Sequence, residues 1–207
     1  MATLIKICGI TNKIDALNAC ALDVDMLGFV FYEKSLRYVE PSTAEDIINE
    51  LPESVGKVGV FVDEDESRVI KIAEDAGLSV LQFHGDETPE YCAKFSGKFK
   101  TIKAFRLKKR EDLKRVNDYG VDYYLFDTFS KECAGGTGKT FDWKLLKDFE
   151  ILKPAIISGG LDNSNVCGLL KELAPFGVDI STGVEDSPGR KNMELMQKFV
   201  RNVRGCQ

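Results

Sequence analysis

Eight short apolar runs, each trailed by a segment of helical spacing, leave this chain few ways to fold. The runs are LIKIC (4–8), DMLGFVF (25–31), KVGVFV (57–62), SVLQFHG (79–85), KTIKAF (100–105), DYYLFDT (122–128), PAIISGG (154–160) and GVDISTG (177–183). They are rich in β-branched and aromatic residues and bounded by Gly, Pro or polar residues, as strands are. Several are almost continuously hydrophobic, which suits a sheet buried on both faces.

The intervening segments carry helix signals. KIDALNACAL places Ile14, Leu17 and Ala21 on one stripe, with Thr11 and Asn12 as cap candidates. STAEDIINEL starts after Pro41 and has Ser42 and Glu45 at capping-box spacing. ESRVIKIAEDAG puts Val69, Ile70 and Ala73 together and stops at Gly77. TPEYCAKF, REDLKRVNDYG, FDWKLLKDF, NSNVCGLLKEL and NMELMQKFVRNV complete the set. Eight strand–helix units in 207 residues predict one single-domain (β/α)8 TIM barrel spanning residues 1–207. A doubly wound open sheet is the rival, but it usually carries its glycine-rich loop after the first strand. Here the clear glycine signals follow strands six, seven and eight.

Composition narrows the function classes. The chain is 43% hydrophobic and 29% charged, with net charge −5. No Lys/Arg run is long enough to track a phosphate backbone, so no nucleic-acid partner is expected. The basic stretch LKKRED carries Glu111 and Asp112 and reads as a solvated helix face. No run approaches the roughly 18 apolar residues of a membrane span. MATLIKICG lacks the basic start and long apolar centre of a signal peptide. A cytoplasmic protein with no membrane partner is expected. Cysteines at 8, 20, 92, 133, 167 and 206 follow no metal-binding or scaffold spacing, and His84 is the single histidine. Free thiols and no metal are expected. Cys20, Cys92 and Cys167 read as packing residues on helix faces, and Cys133 and Cys206 as exposed.

A barrel of this type places its active site at the C-terminal ends of its strands. Those ends carry Cys8 and Gly9, the SLR containing Arg37, Asp63, His84, Arg106, Asp127, Ser158 with Gly159 and Gly160, then Ser181, Thr182 and Gly183. Cys8 could be a small core residue or a thiol at the rim. Arg37 could form a rim salt bridge, and His84 could simply close a strand end or lie beside substrate. The two late glycine loops sit where such barrels bind phosphate, between strand and helix, where N–H groups favour an anion. They could also serve tight turns alone. CAGGTGKTFDW contains GKT but has Cys133 where a nucleotide-binding loop needs its first glycine. A closing lid is the better reading.

Taken in order, KICGIT (6–11), LGFVF and SLRYV (27–31, 35–39), VGVFV (58–62), QFHGDE (82–87), DT (127–128), GGTGKTFDW (135–143), ISGGL and DISTGVE (179–185) resemble the phosphoribosylanthranilate isomerases of tryptophan biosynthesis. The resemblance covers nearly the whole chain and departs from the family pattern at Leu36, Phe83, the Ile157–Ser158 pair before Gly159, Thr182 and Asn192. It implies a cofactor-independent Amadori rearrangement of N-(5-phosphoribosyl)anthranilate, an aminoaldose, to an aminoketose. By the same resemblance Asp127 is the acid that opens the ring and Cys8 the base that takes the C2 proton. Arg37 would grip the anthranilate carboxylate. His84, Gly136, Gly138, Gly159, Gly160, Ser181, Thr182 and Gly183 would line the bound phosphorylated substrate. A monomer or homodimer is expected.

The chemistry sets demands on both groups. A free thiol, with a pKa of about 8.5, is mostly protonated at neutral pH, so Cys8 must gain from its surroundings, from loop amides or an iminium charge. A carboxyl of pKa about 3.9 must be raised to act as an acid, as desolvation under a lid would do for Asp127. A sugar-phosphate epimerase would need metal ligands that one histidine cannot supply. An indole-glycerol-phosphate synthase would need catalytic Lys and Glu at strand ends. A non-catalytic phosphoribosyl sensor would have no use for a facing acid and base.

Overall fold

A computed structural model describes residues 2–127, 145–146 and 149–206. Eight parallel strands close into a barrel in chain order: β1 (Leu4–Cys8), β2 (Met26–Val30), β3 (Gly56–Phe61), β4 (Val80–Phe83), β5 (Lys100–Arg106), β6 (Tyr123–Asp127), β7 (Ala155–Ser158) and β8 (Gly177–Ile180). β8 pairs back onto β1, with Lys6 opposite Asp179. The predicted barrel is the observed one.

Alternation along each strand divides the core in two. Ile5, Ile7, Leu27, Phe29, Leu81, Phe83, Tyr124, Phe126, Ile157, Val178 and Ile180 point outward into the layer beneath the helices. Met26, Val58, Val80, Ile102, Ala104, Leu125 and Ile156 fill the barrel interior. Lys6 and Cys8 alternate with Ile5 and Ile7 and so share that interior face. Apolar packing thus fills the floor of the barrel, and polar groups gather at its C-terminal mouth.

The helices are α1 (Lys13–Cys20), α2 (Pro41–Ile48), α3 (Glu66–Asp75), α4 (Pro89–Ala93), α5 (Val166–Leu173) and α6 (Met193–Gly205). Asn12 caps α1 as expected, accepting from the Asp15 N–H. The predicted stripe of α1 is wrong, however. Ile14 and Leu17 are exposed, at 71% and 40%, while Asp15, Ala16 and Ala19 face the barrel. Small residues let this two-turn helix lie close to the sheet, and Asp15 accepts from the Lys191 N–H at 2.7 Å. Helix α2 begins at Pro41 with Glu40 as its cap, without the predicted Ser42–Glu45 box. Proline suits the first helical turn, where its missing N–H would have had no partner. REDLKRVND forms a 3₁₀ helix, Arg110–Asp118, burying Leu113 and Val116 three residues apart. FDWKLLKDF lies largely outside the described residues.

Two features were not foreseen. After β8 the chain makes a 3₁₀ turn, Thr182–Val184, and a small hairpin of β9 (Glu185–Ser187) and β10 (Arg190–Lys191) before α6. Cys167 on α5 and Cys206, which follows α6, form a disulfide with Cα atoms 5.6 Å apart. The expectations of free thiols, of Cys167 as a packing residue and of an exposed Cys206 fail for this pair. The bond depends on two helices lying side by side, which sequence spacing does not encode. Cys8, Cys20 and Cys92 are free thiols, with Cys92 buried. No helix of the described residues is long and apolar enough to cross a membrane.

Candidate active site

Cys8 closes β1 half-buried at the barrel mouth. Its space is kept by Gly28 on β2: a Cβ there would meet the Cys8 Sγ at 2.7 Å. The chain then turns through Gly9, whose φ of +79° favours glycine. A side chain at Gly9 would also strike the Arg37 stem, with its Cβ 2.6 Å from Cδ. Two glycines therefore admit the thiol and the guanidinium to the same rim.

Arg37 sits in the loop between β2 and α2, and its Nε and Nη2 donate to the two Glu185 carboxylate oxygens at 2.9 and 2.6 Å. Glu185 also accepts from the Lys191 Nζ at 2.7 Å. The same Lys191 ammonium donates to the Cys8 carbonyl at 2.6 Å and lies 3.3 Å from the Ser181 carbonyl and 3.4 Å from Ser181 Oγ. Burial would raise the Glu185 carboxyl, but hydrogen bonds from Arg37 and Lys191 outweigh it and hold the group below the usual carboxylate range. Burial lowers Lys191, against the pull of Glu185. The hairpin that follows β8 thus locks Cys8, Ser181 and Arg37 into one network.

His84 lies just past β4, and Asp127 ends β6. The His84 Nε2 is 3.0 Å from Asp127 Oδ2, and its Nδ1 is 3.0 Å from Gln82 Nε2. One hydrogen lies between His84 Nε2 and Asp127 Oδ2, and the imidazole tautomer decides which of the two donates it. Arg106 donates to the His84 carbonyl at 3.1 Å. On the next strand Ser158 stands opposite Asp127, and its hydroxyl donates to Asp179 Oδ2 at 3.2 Å. Asp179 Oδ1 accepts from the Lys6 Nζ at 2.8 Å. A polar band therefore runs from Asp127 through Ser158 and Asp179 to Lys6, two residues below Cys8.

Burial pushes the Cys8 thiol up from its ordinary value; the nearby Lys6 and Lys191 ammoniums pull it down, and Asp179 pushes it further up. The sum lies above the ordinary thiol value, with burial the larger push and Lys6 the strongest pull toward the thiolate.

The two late glycine loops come together as expected. A Cβ at Gly183 would lie 2.1 Å from the Leu161 carbonyl, so the loops after β7 and β8 touch through backbone. Gly159 and Gly160 take φ of +86° and +66°. Neither loop runs straight into a long helix: α5 starts at Val166 after an Asp162 turn, and α6 starts at Met193 beyond the hairpin. Thr182 opens the 3₁₀ turn. Gly136 and Gly138 lie outside the described residues.

Sequence reading passed over Lys6, Gln82, Asp179, Glu185 and Lys191. Lys6 and Asp179 did carry a signal, since each is a charge in mid-strand between apolar neighbours. Glu185 and Lys191 carried none, because only the hairpin pairs them.

The profile of the N-(5'-phosphoribosyl)anthranilate (PRA) isomerase family matches residues 5–202. An N-(5'-phosphoribosyl)anthranilate isomerase from Thermoanaerobacter sp. (strain X514) is 44% identical over 203 residues, 98% of each chain. The crystal structure of phosphoribosyl anthranilate isomerase from Thermotoga maritima superposes with a TM-score of 0.89 at 39% identity, covering 98% of this chain and 99% of that one. Another such isomerase, in complex with reduced 1-(o-carboxyphenylamino)-1-deoxyribulose 5-phosphate, gives 0.85 at 36% identity over 98% and 99%. With a closed barrel, the motifs in order along it and this agreement over nearly its full length, the chain belongs to the N-(5'-phosphoribosyl)anthranilate isomerase family.

Proposed function

We propose that this protein converts N-(5-phosphoribosyl)anthranilate to 1-(2-carboxyphenylamino)-1-deoxyribulose 5-phosphate in L-tryptophan biosynthesis. The observation that carries the reading is a carboxyl at the end of β6 and a thiol at the end of β1 at one barrel mouth, with the Ser158–Asp179–Lys6 hydrogen-bond chain on the strands between them. Family membership supplies the substrate class.

Asp127 gives its proton to the furanose ring oxygen as the C1–O bond breaks, and the anthranilate nitrogen lone pair forms the iminium. Cys8, as thiolate, then removes the C2 proton. The C2–H electron pair becomes the C1=C2 double bond while nitrogen recovers its lone pair. Return of a proton to C1 and loss of one from the C2 hydroxyl give the aminoketose. Carbon 1 is reduced and carbon 2 oxidised within one molecule, so no external redox partner or cofactor is required, and the enzyme is an intramolecular oxidoreductase.

Arg37 would hold the anthranilate carboxylate through Nη1 and the outer edge of Nη2, since Glu185 occupies the Nε side. The loops bearing Gly159, Gly160, Ser181, Thr182 and Gly183 would take the phosphate on backbone N–H groups. His84 would keep Asp127 oriented beside the ring oxygen. The protein would work in the cytoplasm as one domain, alone or as a homodimer.

Turnover of freshly generated phosphoribosylanthranilate tests the reading. The native chain should turn over, and Cys8→Ala should lose at least about 100-fold in kcat, the lower end for a general base. Binding without turnover in the native chain would sink the enzyme reading and favour a sensor. Near-native turnover by Cys8→Ala would remove the base assignment.

A further inference from the structure

We propose that Lys6 is a positioning residue for proton abstraction at Cys8: its ammonium, anchored by Asp179, is the counter-charge of the thiolate that Cys8 becomes. The inference rests on Cys8 as the base and adds what lets it serve as one.

The placement follows from the strand. Lys6 and Cys8 are two residues apart on β1 and share the interior face. The Lys6 side chain has no solvent exposure, so its three N–H donors must find partners inside the barrel. Asp179 Oδ1 takes one at 2.8 Å, and Cys8 lies two residues nearer the mouth on the same face of β1, where the ammonium's charge draws its thiol toward the ionised form. Ser158 donates to the other Asp179 oxygen, which fixes that carboxylate from the β7 side.

Stability gives little reason for this arrangement. A buried ion pair seldom outperforms apolar residues of the same volume, and the layer directly below is apolar. The charge balance gives a functional reason. Facing or adjoining Cys8 are Lys6 on β1, Asp179 on β8, Lys191 on β10, and behind Lys191 the Glu185 and Arg37 pair. Without substrate, three cations meet two carboxylates, which leaves one positive charge for a thiolate to balance. Lys191 spends its donors on the Cys8 and Ser181 carbonyls and on Glu185. Lys6 is the cation on the side-chain side of Cys8. As the thiol loses its proton to a base or solvent before the cycle, the Lys6 N–H donors are shared between Asp179 and sulfur. When the thiolate takes the C2 proton, the ammonium falls back on Asp179 alone.

The test uses Lys6→Met, Lys6→Arg and the double variant Lys6→Met/Asp179→Asn, which keeps a neutral, similarly shaped pair should the single Met variant not fold. Alkylation of Cys8 by iodoacetamide without substrate is followed against pH by mass spectrometry of the peptide carrying Cys8. This reports thiolate directly and separates Cys8 from the other thiols. Lys6→Met should slow alkylation at pH 7.5 by about 10-fold or more, equivalent to a pKa rise of about one unit. The double variant should show a smaller slowing, because the opposing Asp179 charge is also gone. Lys6→Arg should stay within about 3-fold of the native rate. In steady state, Lys6→Met should lose kcat with KM little changed, and higher pH should restore part of the loss. A folded Lys6→Met variant that alkylates with the native pH profile overturns the proposal, and so does a double variant that alkylates faster than the native chain. The alkylation readout stands whatever Cys8→Ala does to turnover, so failure of the base assignment and failure of the Lys6 assignment are separate results.

Discussion

Asp127 and Arg37 lie at one rim but should fail differently when altered. In the proposed reaction Asp127 would give up its proton only as the ring opens. Asp127→Asn keeps shape and the His84 contact but has no proton to supply, so kcat and kcat/KM should fall together. Arg37 would hold a carboxylate that is the same in substrate, transition state and product. Arg37→Ala should therefore raise KM strongly, with any kcat loss secondary to poorer positioning. Steady-state kinetics on both variants, with a single-turnover check on product release, separates them; matching KM defects with intact kcat would make Asp127 a binding residue. Glu185 carries a pH prediction. Its folded pKa is depressed, so its ionised form adds stability at neutral pH. That stability is lost as pH falls below the unfolded value of about 4.3 towards the folded one. Glu185→Gln should be less stable than the native chain at pH 7, and the gap should narrow between pH 5 and pH 3 in urea titrations. A gap that does not depend on pH would show that Glu185 acts by packing alone.

At the scale of elements, the glycines of the mouth differ in what they would strike. Gly28 faces the Cys8 sulfur at 2.7 Å, with the Cys8 Cα and Cβ behind it at 3.1 and 3.3 Å, whereas Gly183 faces the Leu161 carbonyl at 2.1 Å, a far deeper clash with backbone. Gly28→Ala should leave the fold largely intact yet lower kcat by displacing the thiol. Gly183→Ala has to part the β7 and β8 loops and should destabilise the fold by about 1–3 kcal/mol while weakening phosphate-bearing ligands. Thermal melts and product-binding titrations on the two variants check this; an unchanged midpoint and affinity for Gly183→Ala would mean that the loops do not need their close approach. The element level also shows why α1 was misread. Ile14 and Leu17 form the apolar stripe in sequence, yet the helix turns Asp15 inward because the β9–β10 hairpin offers it the Lys191 N–H. A two-turn helix has too little apolar area to dictate its own orientation against such a partner.

Across the whole molecule, the Cys167–Cys206 bond closes a span of 39 residues that includes β8, the hairpin and α6. Such a loop is worth up to about 4 kcal/mol through the entropy of the unfolded chain. Cys167→Ser and dithiothreitol should each lower the urea midpoint of the oxidised protein to a similar extent; no change with either would leave the bond without a stabilising role. The order of strands, the closure into a barrel, the strand ends that carry Cys8, His84 and Asp127, and the adjacency of the late glycine loops were all legible in the sequence. They follow from local period, turn residues and chain order, which act over a few residues each. The tertiary structure decided the rest. It paired Lys6 with Asp179 through the β1–β8 closure, Arg37 and Lys191 with Glu185 through a hairpin, and Cys167 with Cys206 through two neighbouring helices. Each of these joins residues brought together by packing, and a charge or thiol in the sequence names no partner until the barrel has closed around it.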